Sequence, residues 1–259
     1  MEPAFFRVDA LSISFGGIRA LDEIGFTMNK GEIFSVIGPN GAGKTTLFNC
    51  ISGLYQPGQG DIVFKGNSIT HKKPDAIARL GIARTFQNIE LFSHMNTMEN
   101  IMLGRHIHMN TGVFKGMFMW GRSSFAGREE ILHRKRVEHI IDFLELQNVR
   151  DTFVSALPYG TQKLIELGRA LALEPELLLL DEPCAGMNSE EKQDMIFWIK
   201  DIQDELKISI LLIEHDMKMV MDISDRVLAI NFGKPITLGT PAEVQTNEQV
   251  LKAYIGEGD

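Results

Sequence analysis

"GPNGAGKT", residues 38–45, is the stretch on which the reading of this chain turns. It follows "IFSVI" (33–37), a run apolar but for Ser35, of the kind expected of a strand buried on both faces. It opens "KTTLFNCIS" (44–52), which reads as a helix ended by Gly53 and then Pro57. Strand, glycine-rich turn and helix, in that order, are the context a phosphate-binding loop requires. Glycines let the backbone curl until successive N–H groups face a phosphate, and the helix N-terminus adds positive potential. Gly38, Pro39, Asn40, Gly41, Ala42, Gly43, Lys44, Thr45 and Thr46 are therefore candidate ATP-binding residues. Lys44 would reach the β and γ phosphates, and Thr45 would hold Mg²⁺. The competing reading, an ordinary glycine turn with an exposed lysine, is disfavoured by the flanking strand and helix.

Three further segments suit the same chemistry. "LLLLDEP" (177–183) is an apolar strand that delivers Asp181 to the end of a sheet, where a carboxylate can bind Mg²⁺ through water. Glu182 is a second carboxylate not needed for the metal, and is placed to accept a proton from an attacking water or to orient it. "ILLIEHD" (210–216) repeats the pattern and sets His215 just past a strand, where imidazole can donate to a γ-phosphate. "ARTFQNIELF" (83–92) places Gln87 after a strand-like segment, and its neutral amide can contact Mg²⁺ or the water. By itself this is a weak signal, since a surface glutamine is the default. A GTPase would need a base-reading "NKxD"; "NKGE" (29–32) precedes the phosphate loop, ends in Glu and reads as a turn.

Outward from these motifs the chain alternates strands with helices, which implies a mainly parallel sheet. The N-terminal 5–36 reads as β-rich, and "GQGDIVFKGNSI" as a hairpin region. A helix-rich middle interrupts the rhythm. There "REEILHRKRVEHIIDFLEL" (128–146) puts Val137, Ile140, Ile141 and Leu144 on one helical face, and "TQKLIELGRALAL" does the same with Leu164, Leu167 and Leu171.

Composition narrows the classes. The chain has 259 residues, 44% hydrophobic, with a net charge of −8 and no basic block, which argues against a nucleic-acid partner and against electrostatic docking to anionic lipid. No segment approaches the ~20 apolar residues of a membrane span, and "MEPAFFRVDA" does not read as a targeting signal. The aromatic and Met-rich "GVFKGMFMWG" is too short and contains Lys115. A cytoplasmic protein is expected, held at a membrane only through partners. Cys50 and Cys184 read as buried reduced thiols. His71, His94, His106, His108, His133 and His139 show no metal spacing beyond the pair His106 and His108, and read as solvated.

Taken together and in this order, the phosphate loop, Gln87, "LPYGTQK" (157–163), "LLLLDEP" and His215 resemble the ATP-binding subunit of ABC transporters, from about residue 5 to the C-terminus. The resemblance implies an α/β P-loop fold of ABC ATPase type. It would have a RecA-like mixed sheet core, an N-terminal antiparallel β subdomain and an inserted helical subdomain. The domain would run over 5–250, with the helical insertion at about 88–172 and a tail at 251–259. It assigns Phe15 in "SFGGIRAL" to adenine stacking, and "AGMN" (185–188) to the loop after the catalytic glutamate. It assigns Pro158, Tyr159, Gly160, Thr161 and Gln162 to a signature that faces ATP held by the opposite subunit of a dimer.

Finer features, among them "MNTMENIMLGRH" (95–106), "IEHDM" and the ending "VLKAYIGEGD", look like the ATPase subunits of branched-chain amino acid importers. In that branch a tyrosine before the glycine and a missing serine are usual; Pro158 and Thr161 are departures from it. What the signature offers is largely the N-terminus of the following helix, so the site can survive these changes. The implied partners are a second ATP-binding subunit, in a homo- or heterodimer, permease subunits, and indirectly an extracytoplasmic binding protein. The implied location is the cytoplasmic face of the cell membrane.

"NIELFSHMNTMENI" would line the groove toward the permease, with Phe92 and Met95 as contacts or, equally, as core residues. The segment "GVFKGMFMWGRSSF" is a second docking surface or a cover of the helical subdomain. The alternatives to amino acid import are an ABC ATPase for another cargo (urea, amide, aromatic acid or lipid export) and a soluble ABC ATPase acting on nucleic acid or ribosomes.

Overall fold

The computed structural model describes residues 4–109 and 125–255. The stretch 112–121 thus lies outside the described residues, and the docking or covering role read for it goes with it. Two compact units are distinguished: Met1–Gln87 with Glu176–Asp259, and Asn88–Pro175.

In the first unit, β1 (Phe6–Phe15), β2 (Ile18–Met28), β4 (Gln59–Phe64) and β5 (Asn67–Ser68) form an antiparallel sheet in the order β2-β1-β4-β5. A second sheet is built from β3 (Ile33–Ile37), β6 (Ile82–Arg84), β7 (Leu177–Asp181), β8 (Ser209–Ile213), β9 (Arg226–Asn231) and β10 (Lys234–Gly239). Its order is β10-β9-β3-β8-β7-β6. Its pairs are parallel except the edge hairpin β9–β10. The sheet core is therefore mixed, as the family resemblance implies, and mainly parallel, as the strand–helix alternation does. β3, β7 and β8 are buried at every position, the mark of strands covered on both faces.

Helix α1 (Lys44–Ile51) follows β3. Its Leu47, Phe48 and Ile51 join Phe6, Leu11, Leu21 and Ile24 of the antiparallel sheet and Leu179, Leu211 and Ile213 of the parallel one in a single apolar core. Helix α2 (Pro74–Arg79) precedes β6.

The second unit carries α3 (Thr97–Leu103), α4 (Phe125–Phe143) and α5 (Tyr159–Leu171). Val137, Ile141 and Leu144 are buried there with Ile101, Ile165 and Leu167. Ile140 and Leu164 are only partly buried. At Gly168 of α5 a Cβ would lie 3.1 Å from both Ile101 and Leu144, so this glycine lets the three segments pack closely. Asn100 is buried and donates to the carbonyls of Phe92, Met95 and Asn96 while accepting from the Phe92 N–H, pinning the loop before α3.

One expectation fails in this unit. His133 is buried rather than solvated, 5% exposed, with Nδ1 accepting from the Arg105 guanidinium at 3.1 Å. Burial, and then the neighbouring Arg105 charge, hold its pKa below the ordinary histidine value. The reason is positional: His133 lies one turn before Val137 on the buried face of α4.

Beyond α5 the chain returns to the first unit. There α6 (Ser189–Asp204) follows β7 and α7 (Met217–Ile223) follows β8, while α8 (Pro241–Gln245) and α9 (Glu248–Ile255) follow β10.

Candidate functional site

The first unit places its candidate residues, apart from Phe15 at the end of β1, at the C-terminal ends of adjacent parallel strands. β3 ends in the glycine loop, β8 in His215, β7 in Asp181 and Glu182, and β6 leads to Gln87. β8 lies between β3 and β7, so His215 emerges between the loop and the acidic pair. In open α/β sheets ligands bind at this end of the strands.

Backbone conformation shapes the loop. Gly38 (φ 156°) passes so close to β9 that a Cβ would stand 2.2 Å from the Ile230 carbonyl. Gly43 (φ 106°) is the N-cap of α1, and a Cβ there would stand 2.6 Å from the Ala20 carbonyl. The Gly233 N–H donates to the Ala42 carbonyl at 2.9 Å, bracing the loop against the β9–β10 turn. Lys44 is buried and folds back over the loop, donating to the carbonyls of Gly38 at 2.5 Å and Pro39 at 2.9 Å. Asn40, Gly41 and Thr45 are exposed; Pro39 and Ala42 are buried, and Thr46 is half-buried. Phe15 is 45% exposed and meets Tyr55 edge-on, with ring centroids 5.1 Å apart.

Side chains, by contrast, build the acidic edge. Glu182 Oε1 meets His215 Nε2 at 2.5 Å, and its Oε2 accepts from the Gln87 amide at 2.9 Å. Glu182 has φ 51°, a left-handed conformation uncommon for a residue with a Cβ, and such strain gathers at functional sites. Asp181 is buried and accepts from Arg84 at 2.8 Å. Arg84 also donates to Asn49 and Ser52 at the end of α1, and its guanidinium lies over the rings of Phe48 and Phe86. Sequence reasoning misses Arg84. Its position closing an apolar strand is visible there, but its partner more than ninety residues away is not. Glu214 has no role in the sequence reading of "IEHD", and the structure buries it between the segments that bear Glu182 and His215.

Helix beginnings separate into two kinds. α3, α6, α7 and α8 start with side-chain caps from Asn96, Asn188, Asp216 and Thr240. α2 has no such cap but carries Asp75 in its first turn. α1 and α5 have neither cap nor first-turn acid. An uncapped, acid-free N-terminus keeps its N–H groups and positive potential for an outside anion.

In the second unit, Pro158 is the N-cap of α5, so the helix begins at Tyr159, two residues earlier than the apolar pattern suggests. Pro158 is exposed, Tyr159 42% exposed, Gly160 buried and Thr161 half-buried. The Gln162 side chain donates to the Leu157 carbonyl at 2.9 Å. Phe92 is 56% exposed and so is a surface residue of its unit, whereas Met95 is partly buried. Both cysteines are buried thiols, with pKa values raised to about 12 chiefly by burial.

This arrangement has known counterparts. The ABC transporter family model matches residues 21–185. The chain belongs to the ABC transporter family. A further model, branched-chain amino acid ATP-binding cassette transporter, matches residues 234–259. The chain is 38% identical over 99% of its length, and 100% of the relative's, to the high-affinity branched-chain amino acid transport ATP-binding protein BraF of Pseudomonas aeruginosa. Identity and coverage are the same for the corresponding LivG protein of Escherichia coli. A probable LivG of Archaeoglobus fulgidus is 33% identical over 96% of this chain and 94% of its own. A nucleotide-free ATP-binding cassette from an ABC transporter superposes with a TM-score of 0.84 at 29% identity, covering 98% of this chain and 100% of that one. A cassette in its ADP conformation does so with a TM-score of 0.84, 29% identity, and 98% and 99% coverage. The cassette's fold is thus that of an ABC ATPase. Among its described residues no helix is long and apolar enough to cross a membrane.

Proposed function

We propose that this cassette is the ATP-hydrolysing motor subunit of an importer for branched-chain or related amino acids. The observation that carries the hydrolytic part is the Glu182–His215–Gln87 cluster on the strand ends beside the glycine loop. Full-length similarity to branched-chain amino acid transport proteins supports the cargo class.

In this reading the N–H groups of residues 41–46 and the N-terminus of α1 cradle the ATP phosphates. Lys44 leaves the Gly38 and Pro39 carbonyls for the β and γ oxygens, and Phe15 stacks on adenine. Among the described residues no three His, Cys, Asp or Glu side chains gather as a metal cage. Thr45, Gln87 and Asp181 would supply a small all-oxygen set, of the kind that suits Mg²⁺ arriving with nucleotide. When bound, the ion neutralises charge on the phosphate oxygens. Glu182 accepts a proton from the attacking water, or orients it, and His215 turns its Nε2–H from Glu182 to the γ-phosphate.

Pro158, Tyr159, Gly160, Thr161 and Gln162 present the bare N-terminus of α5 to ATP on a second ATP-binding subunit, so the site is completed by dimer closure. The compact unit Asn88–Pro175 supports reading residues 88–172 as the helical subdomain. Its exposed Phe92 is the permease contact, and the complex sits at the cytoplasmic face of the membrane with a binding protein on the other side. The test is reconstitution with the membrane subunits in vesicles. ATPase activity should rise with a binding protein loaded with leucine, isoleucine or valine. Stimulation by nucleic acid instead would reject the importer reading, and stimulation by another cargo would move the cassette to a different branch.

A further inference from the structure

We propose that Glu214 is a positioning residue of the hydrolytic site: its carboxylate bridges the backbone N–H groups of Cys184 and His215 and so fixes the segment bearing Glu182 against the one bearing His215. The inference rests on the hydrolytic reading above and adds to it a residue that never touches nucleotide.

The β7–β8 ladder ends with Asp181 opposite Ile213, and the Glu182 N–H donating to the Ile213 carbonyl at 2.9 Å is its last backbone rung. Glu182 then turns through a positive φ and the two chains part. Glu214 stands at that fork, 4% exposed. Its Oε1 accepts from the Cys184 N–H at 2.9 Å and its Oε2 from the His215 N–H at 3.0 Å. One planar group thus replaces the missing rungs. On the open side of the fork the Glu182 and His215 side chains meet at 2.5 Å, a contact that a shift of about 1 Å between the segments would break.

A simpler role, starting helix α7, is already filled. Asp216 caps α7 through the Met219 N–H and is tied to Lys192 of α6 at 3.0 Å. Both oxygens of Glu214 are directed instead at the two segments that carry the reacting groups. Removing its carboxylate would orphan two N–H donors at the fork, which favours a movement of the backbone to find other partners.

Glu214→Gln in the full chain keeps the volume but turns an NH₂ donor toward one of the two N–H groups. Turnover should fall at least about tenfold while ATP affinity, set by the glycine loop, stays within about threefold. A pairwise test then assigns the route: Glu214→Gln combined with His215→Ala should be no slower than His215→Ala by more than about twofold, because residues acting as one unit are not additive. Independent, multiplying losses would overturn the proposal, and so would wild-type turnover in Glu214→Gln beside a defective His215→Ala, which leaves the hydrolytic reading intact. Wild-type turnover in His215→Ala would overturn that reading and this proposal with it. Should Glu214→Gln fail to fold, hydrogen exchange in the unaltered chain decides. The Cys184 and His215 amides should be protected like those of the ladder, and exchange at open-loop rates would overturn the proposal.

Discussion

Helices α6 and α5 begin in opposite ways. At α6, Asn188 accepts from the N–H groups of Glu190 and Glu191 while the Glu191 side chain reaches back to the Asn188 N–H. That end is sealed by its own residues and has two acids in its first turn. At α5 the N-cap is a proline with no side-chain bond to give, and the first turn is Tyr159, Gly160 and Thr161, with no acid. α1 resembles α5, with Gly43 in the cap position. A sealed end adds stability to the free chain. A bare end forgoes it and leaves N–H groups to be met by a phosphate. Among the helices whose beginnings are described, those assigned to ATP, one in each unit, are the ones of the second kind.

The largest effect should come from the one residue that separates binding from turnover. Glu182→Gln leaves the bare helix ends untouched and removes the proposed proton acceptor. Turnover should drop by about 10²- to 10⁴-fold with ATP still bound and the dimer trapped, as read by steady-state hydrolysis and gel filtration with ATP. Wild-type hydrolysis would remove Glu182 from its role. Lys44→Ala tests the α1 end directly. Charged hydrogen bonds are worth about 1.5–3 kcal/mol each, so ATP affinity should weaken at least tenfold by titration with a fluorescent analogue. Unchanged affinity would leave the α1 end without its assigned cation.

The fold class is legible because its signals are local. "IFSVI", "LLLL" and "SILLI" are short runs made almost wholly of apolar residues, and each leads to a polar residue or turn the chemistry can use. The acidic pair and His215 stand out for the same reason. What cannot be read is tertiary. No local pattern says that β8 separates β3 from β7, that Arg84 finds Asp181, or that Glu214 turns inward rather than to solvent. His133 is an intermediate case. Its spacing from Val137 and Ile141 lies in the sequence, but a histidine among charged neighbours reads as solvated unless that face is extended back by one turn. The start of α5 is hidden for a related reason: apolar spacing marks the buried stripe of a helix, and Tyr159 and Thr161 stand apart from that stripe.

A pair of substitutions exchanges the two kinds of end. Thr161→Glu puts an acid into the first turn of α5, which should hold or raise the melting temperature, since such a charge stabilises a helix N-terminus by about 0.3–1 kcal/mol. ATPase activity should nevertheless fall about tenfold or more, by the repulsion of a γ-phosphate. Asn188→Ala unseals α6 and should do the reverse, costing about 1 kcal/mol of stability with ATP affinity unchanged. If Thr161→Glu kept full activity, the bare α5 end would be an accident of sequence.

The smallest effect is expected at Pro158. A serine there could accept a hydrogen bond from the first turn of α5 and would seal the end in part, as Asn188 does at α6. It could also donate to a phosphate oxygen. These consequences oppose each other, and neither alters the N–H groups of Tyr159, Gly160 and Thr161, to which the proposal gives the interaction. Pro158→Ser should therefore change turnover by less than about tenfold, equivalent to about 1.4 kcal/mol. A larger gain would mean that the proline end is an impaired site and that the hydroxyl, not the backbone, is what a signature supplies. A larger loss would mean that proline is itself needed, through the fixed φ that starts the helix at Tyr159.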